Sequence, residues 1–104
     1  MNPEMVVYKA ALKININEVQ MAELQKIANQ NLHSFRKLTT KRLLLYFNGR
    51  DVGRHYLEFL RAVAAIVIKA EGEVIVNLFY TGEKEYNAEE RYKINCGRLE
   101  LITT

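Results

Sequence analysis

The chain has 104 residues, 49% of them hydrophobic, with a net charge of +3. That length supports one core and one domain, spanning 1–104, and that hydrophobic fraction excludes a disordered chain. Pro3 is the only proline and Cys96 the only cysteine, which excludes an internal disulfide and a proline-rich linker. The longest apolar run, AVAAIVIKA at 62–70, falls far short of the roughly 20 residues of a membrane span. MNPEMVVYKA has no basic-then-apolar order of a secretory signal, so the expected location is intracellular, in the cytoplasm.

Residues 5–14, with Val6, Val7 and Tyr8, predict a first strand. A helix is expected over roughly 17–33. Val19, Leu24, Ile27, Ala28, Leu32 and Phe35 recur there at helical spacing. Asn15 with Glu18, or Asn17 with Gln20, sets its capping box. The apolar run from Leu43 to Phe47 reads as a buried strand closed by a sharp Asn48-Gly49 turn. A helical turn capped by Gly49 is the alternative. A second helix follows over 51–69, with Tyr56, Phe59, Leu60, Val63, Ile66 and Val67 on one face and Asp51 as its cap. Glu58 has Arg54 and Arg61 within side-chain reach on that helix. EVIVNLFYTG (73–82) alternates as a strand. RYKINCGRLELIT (91–103) reads as a last strand with a bulge or tight turn at Asn95-Cys96-Gly97. The acidic loop EKEYNAEE joins these two. The expected architecture is α+β: a two-layer β-α-β-α-β-β sandwich, with two helices on one face of a four-stranded mixed sheet.

Charge is unevenly placed. Over 26–61, Lys26, Arg36, Lys37, Lys41, Arg42, Arg50, Arg54 and Arg61 face only Asp51 and Glu58, whereas residues 71–100 are mainly acidic. A basic middle suits a polyanion. Arg50 and Arg54 flank the second helix start, and Arg36, Lys37, Lys41 and Arg42 extend the surface towards the second strand. Phosphate contacts of this kind give affinity without sequence specificity. Of the nearby aromatics, Phe35, Tyr46, Phe47 and Tyr56 can stack bases, but packing in the core is their commoner role.

Catalytic chemistry has little to work with. Ser34 is the only serine, and His33 and His55 the only histidines. No spacing suggests a nucleophile triad, a zinc site or a phosphate-binding glycine loop. Neither an enzyme nor a cofactor is expected.

The corner in LLLYFNGRDVGRHYLEFLRAV, Phe47-Asn48-Gly49-Arg50, resembles the Alba superfamily of chromatin and RNA-binding proteins. It is also similar to the C-terminal domain of bacterial translation initiation factor three. The Alba resemblance implies a homodimer that binds RNA or duplex DNA, with Arg50 as the matching motif residue. The chain departs from the Alba pattern in three places, one of them a longer first helix and following loop. LKININE supplies only Lys13 where Alba proteins carry a Gly-Lys-Lys-type loop, and GEKEYNAEE is acidic where theirs is basic. The expectation is a nucleic-acid-binding protein, RNA ahead of DNA, using Arg36, Lys37, Lys41, Arg42, Arg50 and Arg54. The alternative is an interaction module that self-associates through a sheet edge or the second helix and binds a protein partner.

Overall fold

The computed structural model of the protein describes residues 4–31, 33, 35–51, 53–80 and 86–103. In chain order the elements are β1 (Met5–Lys13), α1 (Glu18–Gln30), β2 (Phe35–Leu38), β3 (Arg42–Arg50), α2 (Tyr56–Ile66), β4 (Gly72–Tyr80), β5 (Tyr86–Asn95) and β6 (Arg98–Thr103). The strands form one six-stranded sheet in the order β2-β3-β1-β4-β5-β6. Every neighbouring pair is antiparallel.

Alternation decides which face is covered. Val6, Tyr8, Ala10 and Leu12 of β1 are buried, as are Leu43 and Leu45 of β3 and Val74, Val76 and Leu78 of β4. These residues meet Leu24 and Ala28 of α1 and Tyr56, Phe59, Leu60 and Val63 of α2 in a single core. One face of the sheet is therefore packed under helices, and the other carries the residues of opposite parity. The units β1-α1-β2 and β3-α2-β4 interleave, each straddling a strand of the other. That gives the first four strands the order of a ferredoxin-like fold. The β5–β6 hairpin extends the sheet beyond β4.

The α+β class stands, but the expected four-stranded mixed sheet is corrected to six antiparallel strands. Two strands account for the difference. β2 is only FRKL, too short and too charged to show a period. It exists because β3 offers a ladder and because Phe35 and Leu38 pack against the core. The single last strand is two, joined at Cys96 and Gly97. Their φ values of 52° and 75° make a two-residue hairpin turn of the I′ type. The expected acidic loop is also shorter, because β5 already begins at Tyr86. Glu83 and Glu85 lie outside the described residues, as do Leu32 and Ser34.

Asn48-Gly49 is not a turn. Both residues sit inside β3, paired with Val7 and Val6 of β1, because the ladder continues to Arg50 and outweighs local turn preference. The chain turns later, at 53–55, where Arg54 takes φ 55°. The N-cap position of α2 is His55 and not Asp51, because the helix starts later than expected, but the Asp51 carboxylate still serves the helix start, accepting from the His55 N–H at 2.9 Å and the Tyr56 N–H at 2.7 Å. At α1 the capping box is Asn17 with Gln20, the second of the two registers.

Candidate nucleic-acid interface

The uncovered face can be read in rows, because residues paired across antiparallel strands share a side. Arg42 lies beside Lys13 at one end of β3, and Arg50 beside Met5 at the other. Eight residues of strand put Arg42 and Arg50 about 27 Å apart. Between them, Tyr46 pairs with Lys9, Lys9 with Ile75, and Ile75 with Arg91. The adjoining row holds Leu44, Ala11, Glu73 and Lys93.

A bulge in β2 adds charge to this face. Phe35 pairs with Leu45, but the next pair is Lys37 with Leu44, leaving Arg36 as the extra residue. Bulges re-aim side chains. Here Phe35 turns inward onto Phe59, while Lys37 shares the open face with Leu44. The Arg36 guanidinium lies 4.5 Å from the centre of the Tyr46 ring. Tyr46 is 38% exposed, so a large aromatic surface and a stacked cation both face solvent.

Four of the six expected residues, Arg36, Lys37, Arg42 and Arg50, are thus brought to one face. Lys41 stands just outside β3 at its Arg42 end, with its Nζ donating to Asn15 Oδ1 at 2.8 Å. Arg54 lies apart from them. Its guanidinium reaches the covered side, donates to the Tyr80 hydroxyl at 2.7 Å and stands 3.7 Å from Glu90 Oε1. Glu90 is buried and also accepts from the Tyr56 and Tyr92 hydroxyls at 3.2 and 3.1 Å. Burial, followed by the Glu90 charge, raises the Tyr92 phenol to about 12 and pushes Tyr56 up as well. Both phenols stay protonated and donate. This cluster ties α2, β4 and β5 together.

A second covered-side cluster surrounds His33. Its ring stacks on Phe59 at 4.3 Å and lies 4.5 Å from Phe47. The fully buried Tyr8 hydroxyl is hydrogen-bonded to His33 Nδ1. Burial, and secondarily the Asp51 charge, holds the Tyr8 proton in place, so Tyr8 donates and Nδ1 accepts. Burial lowers the His33 pKa, partly offset by Asp51. His33 is a packed aromatic neighbour beyond the end of α1, and His55 is exposed at the start of α2.

Sequence reasoning missed Lys9 and Lys93 and, of the two roles open to Tyr46, favoured the core over stacking. Phe35, Phe47 and Tyr56 do pack there, partly or fully buried. Parity holds the signal for the others: Lys9 and Lys13 alternate against Val6, Tyr8, Ala10 and Leu12. Among the described residues, no group of three or more His, Cys, Asp or Glu is placed to hold a metal ion. No helix among them is long and apolar enough to cross a membrane.

The observed order is β-α-β-β-α-β-β-β and not the expected β-α-β-α-β-β. No protein-family model matches the chain, and no curated protein or solved structure matches it.

Proposed function

We propose that the protein binds single-stranded nucleic acid, RNA ahead of DNA, across the open face of its sheet, and that it does so without catalysing a reaction. The observation that carries this is the row structure of that face. The side chains of Arg42, Arg50 and Lys37 have no hydrogen bond or ion pair with any described residue, while Arg36 and Tyr46 form a stacked pair between them. Cations without carboxylate partners favour a polyanion. An exposed ring on a flat sheet suits unpaired bases better than a duplex, whose bases are already stacked. Asn48 and Asn77, in an intermediate row, offer amide donors and acceptors for 2′-hydroxyls, which favours RNA. Arg54 is left out of the contact set because Tyr80 and Glu90 already engage it.

The competing reading places a protein on the same face, a second copy of this chain included. Val7, Leu44, Ile75 and Phe79 are only half-buried there and supply apolar area. Fluorescence anisotropy with labelled single-stranded RNA and duplex DNA at 50 and 200 mM salt separates the two readings, with light scattering on the same sample. About four phosphate contacts predict a loss of RNA affinity of about 50-fold over that salt range. A stable dimer that binds neither polymer at 50 mM salt would favour the protein-binding reading instead.

A further inference from the structure

We propose that the open face holds a slot for one unpaired guanine base, read by Glu73. The inference rests on the single-strand binding proposed above. Its starting point is a shallow concavity of about 550 Å³ bounded by Lys9, Leu44, Tyr46, Glu73 and Ile75. That volume lies within the ~300–1,000 Å³ typical of small-ligand sites. The dip has a simple cause: Ala11, on central strand β1, is the small residue in its neighbourhood. Leu44 stands beside it on β3, Tyr46 and Ile75 stand in the adjoining row, and Glu73, next along β4 from the Ala10–Val74 pair and before the Lys13–Glu71 bridge, lines the same concavity. A flat ring resting on Ala11 meets apolar walls and, at one edge, a carboxylate.

Glu73 is the unexpected member. It sits among Lys9, Arg36, Arg91 and Lys93, yet its approach to Arg91 is only 4.0 Å and its side chain stays 56% exposed. An acid beside a phosphate path repels the strand unless a base satisfies it. A carboxylate only accepts hydrogen bonds, and two parallel donors suit it best. Guanine alone among the bases presents two adjacent donors, N1–H and N2–H, on its Watson–Crick edge. Uracil flanks its single N–H with two carbonyls. Cytosine and adenine each set one amino group beside an acceptor nitrogen. The carboxylate therefore selects guanine, while Lys9 and Arg36 take the flanking phosphates.

The test uses the full chain and labelled RNA octamers, oligouridine and the same strand carrying a single G, C, A or inosine. The guanine octamer should bind at least about tenfold tighter than oligouridine, the scale of a bidentate base contact. Inosine, which keeps N1–H and lacks the amino group, should fall between the two. Glu73→Ala should erase the guanine preference without weakening oligouridine binding. Ala11→Leu should erase it too, by filling the floor while leaving the carboxylate in place. Equal binding of all octamers, or a guanine preference that survives Glu73→Ala, would overturn the slot and leave strand binding standing. If no octamer binds, strand binding and the slot both fail.

Discussion

Arg50 and Arg54 stand on either side of one short turn and serve opposite faces of the sheet. Arg50 ends β3 on the uncovered side, exposed, its side chain with no polar partner among the described residues. Arg54 has the left-handed backbone and a side chain directed to Tyr80 and the buried Glu90. The difference lies in whether a carboxylate is within reach. A cation with such a partner acts as a strut, while one without is available to a ligand. The same division runs along the open face itself: Arg91, on β5, stands 3.6 Å from Glu89 and 4.0 Å from Glu73, whereas the side chains of Lys37, Arg42 and Arg50, on β2 and β3, have no carboxylate partner among the described residues.

Charge reversal is the strongest way to break that division. The double variant Arg42→Glu, Arg50→Glu is expected to weaken RNA binding more than about 100-fold at 50 mM salt. Its thermal midpoint should stay where it was, because both side chains are exposed. Anisotropy and a melting curve on one preparation check both halves. Arg54→Ala should do the reverse. It removes the cation beside buried Glu90 and should cost about 1–2 kcal/mol, less than a fully buried pair because the Arg54 side chain is 31% exposed. A urea titration measures the cost, and RNA affinity should hold within about twofold. Loss of binding in Arg54→Ala with unchanged stability would put this arginine back among the contacts.

Tyr46→Ala sharpens the comparison within the open face. Loss of a stacking ring should weaken RNA binding by about 1 kcal/mol, roughly fivefold, while Tyr46→Phe should retain affinity. The smallest effect belongs to the covered side and is read by pH. The His33 pKa is depressed in the folded protein, so the unfolded chain takes up the proton first as pH falls below about 6.5. Stability should be level above that pH and decline below it, since stability rises with pH wherever the unfolded state binds more protons. Urea midpoints at pH 7.5 and 5.5 measure the decline, and His33→Gln should reduce it. A midpoint that rises on acidification would contradict the buried, neutral imidazole.

Periodicity made part of this legible in advance. β1, β4 and both helices follow from alternation or helical spacing, and a role for Asp51 at the start of α2 follows from its side chain, although the N-cap position falls at His55. The pairing partners do not, because they lie far away in sequence. Arg54 meets Tyr80 across 26 residues, and Tyr56 meets Glu90 across 34. Glu90 therefore reads as loop acid when it is a buried acceptor. β2 is invisible for a related reason, since its evidence is the edge of β3. Asn48-Gly49 misleads because a turn-prone pair inside a long ladder is held straight by its neighbours. The basic residues were identifiable by charge, but their gathering on one face depends on strand parity and on the bulge.

That bulge has a consequence for how the protein tolerates change. Arg36 is a supernumerary residue in the β2–β3 ladder: remove it, and Phe35, Lys37 and Leu38 keep the partners they already have. A chain one codon shorter here would fold to the same sheet with one cation fewer and an uncovered Tyr46. The charge of this edge can thus change by deletion as well as by substitution. The irregular four-residue strand also offers a poor template to another chain. The margin of the sheet absorbs changes in length, and the flat face keeps its register.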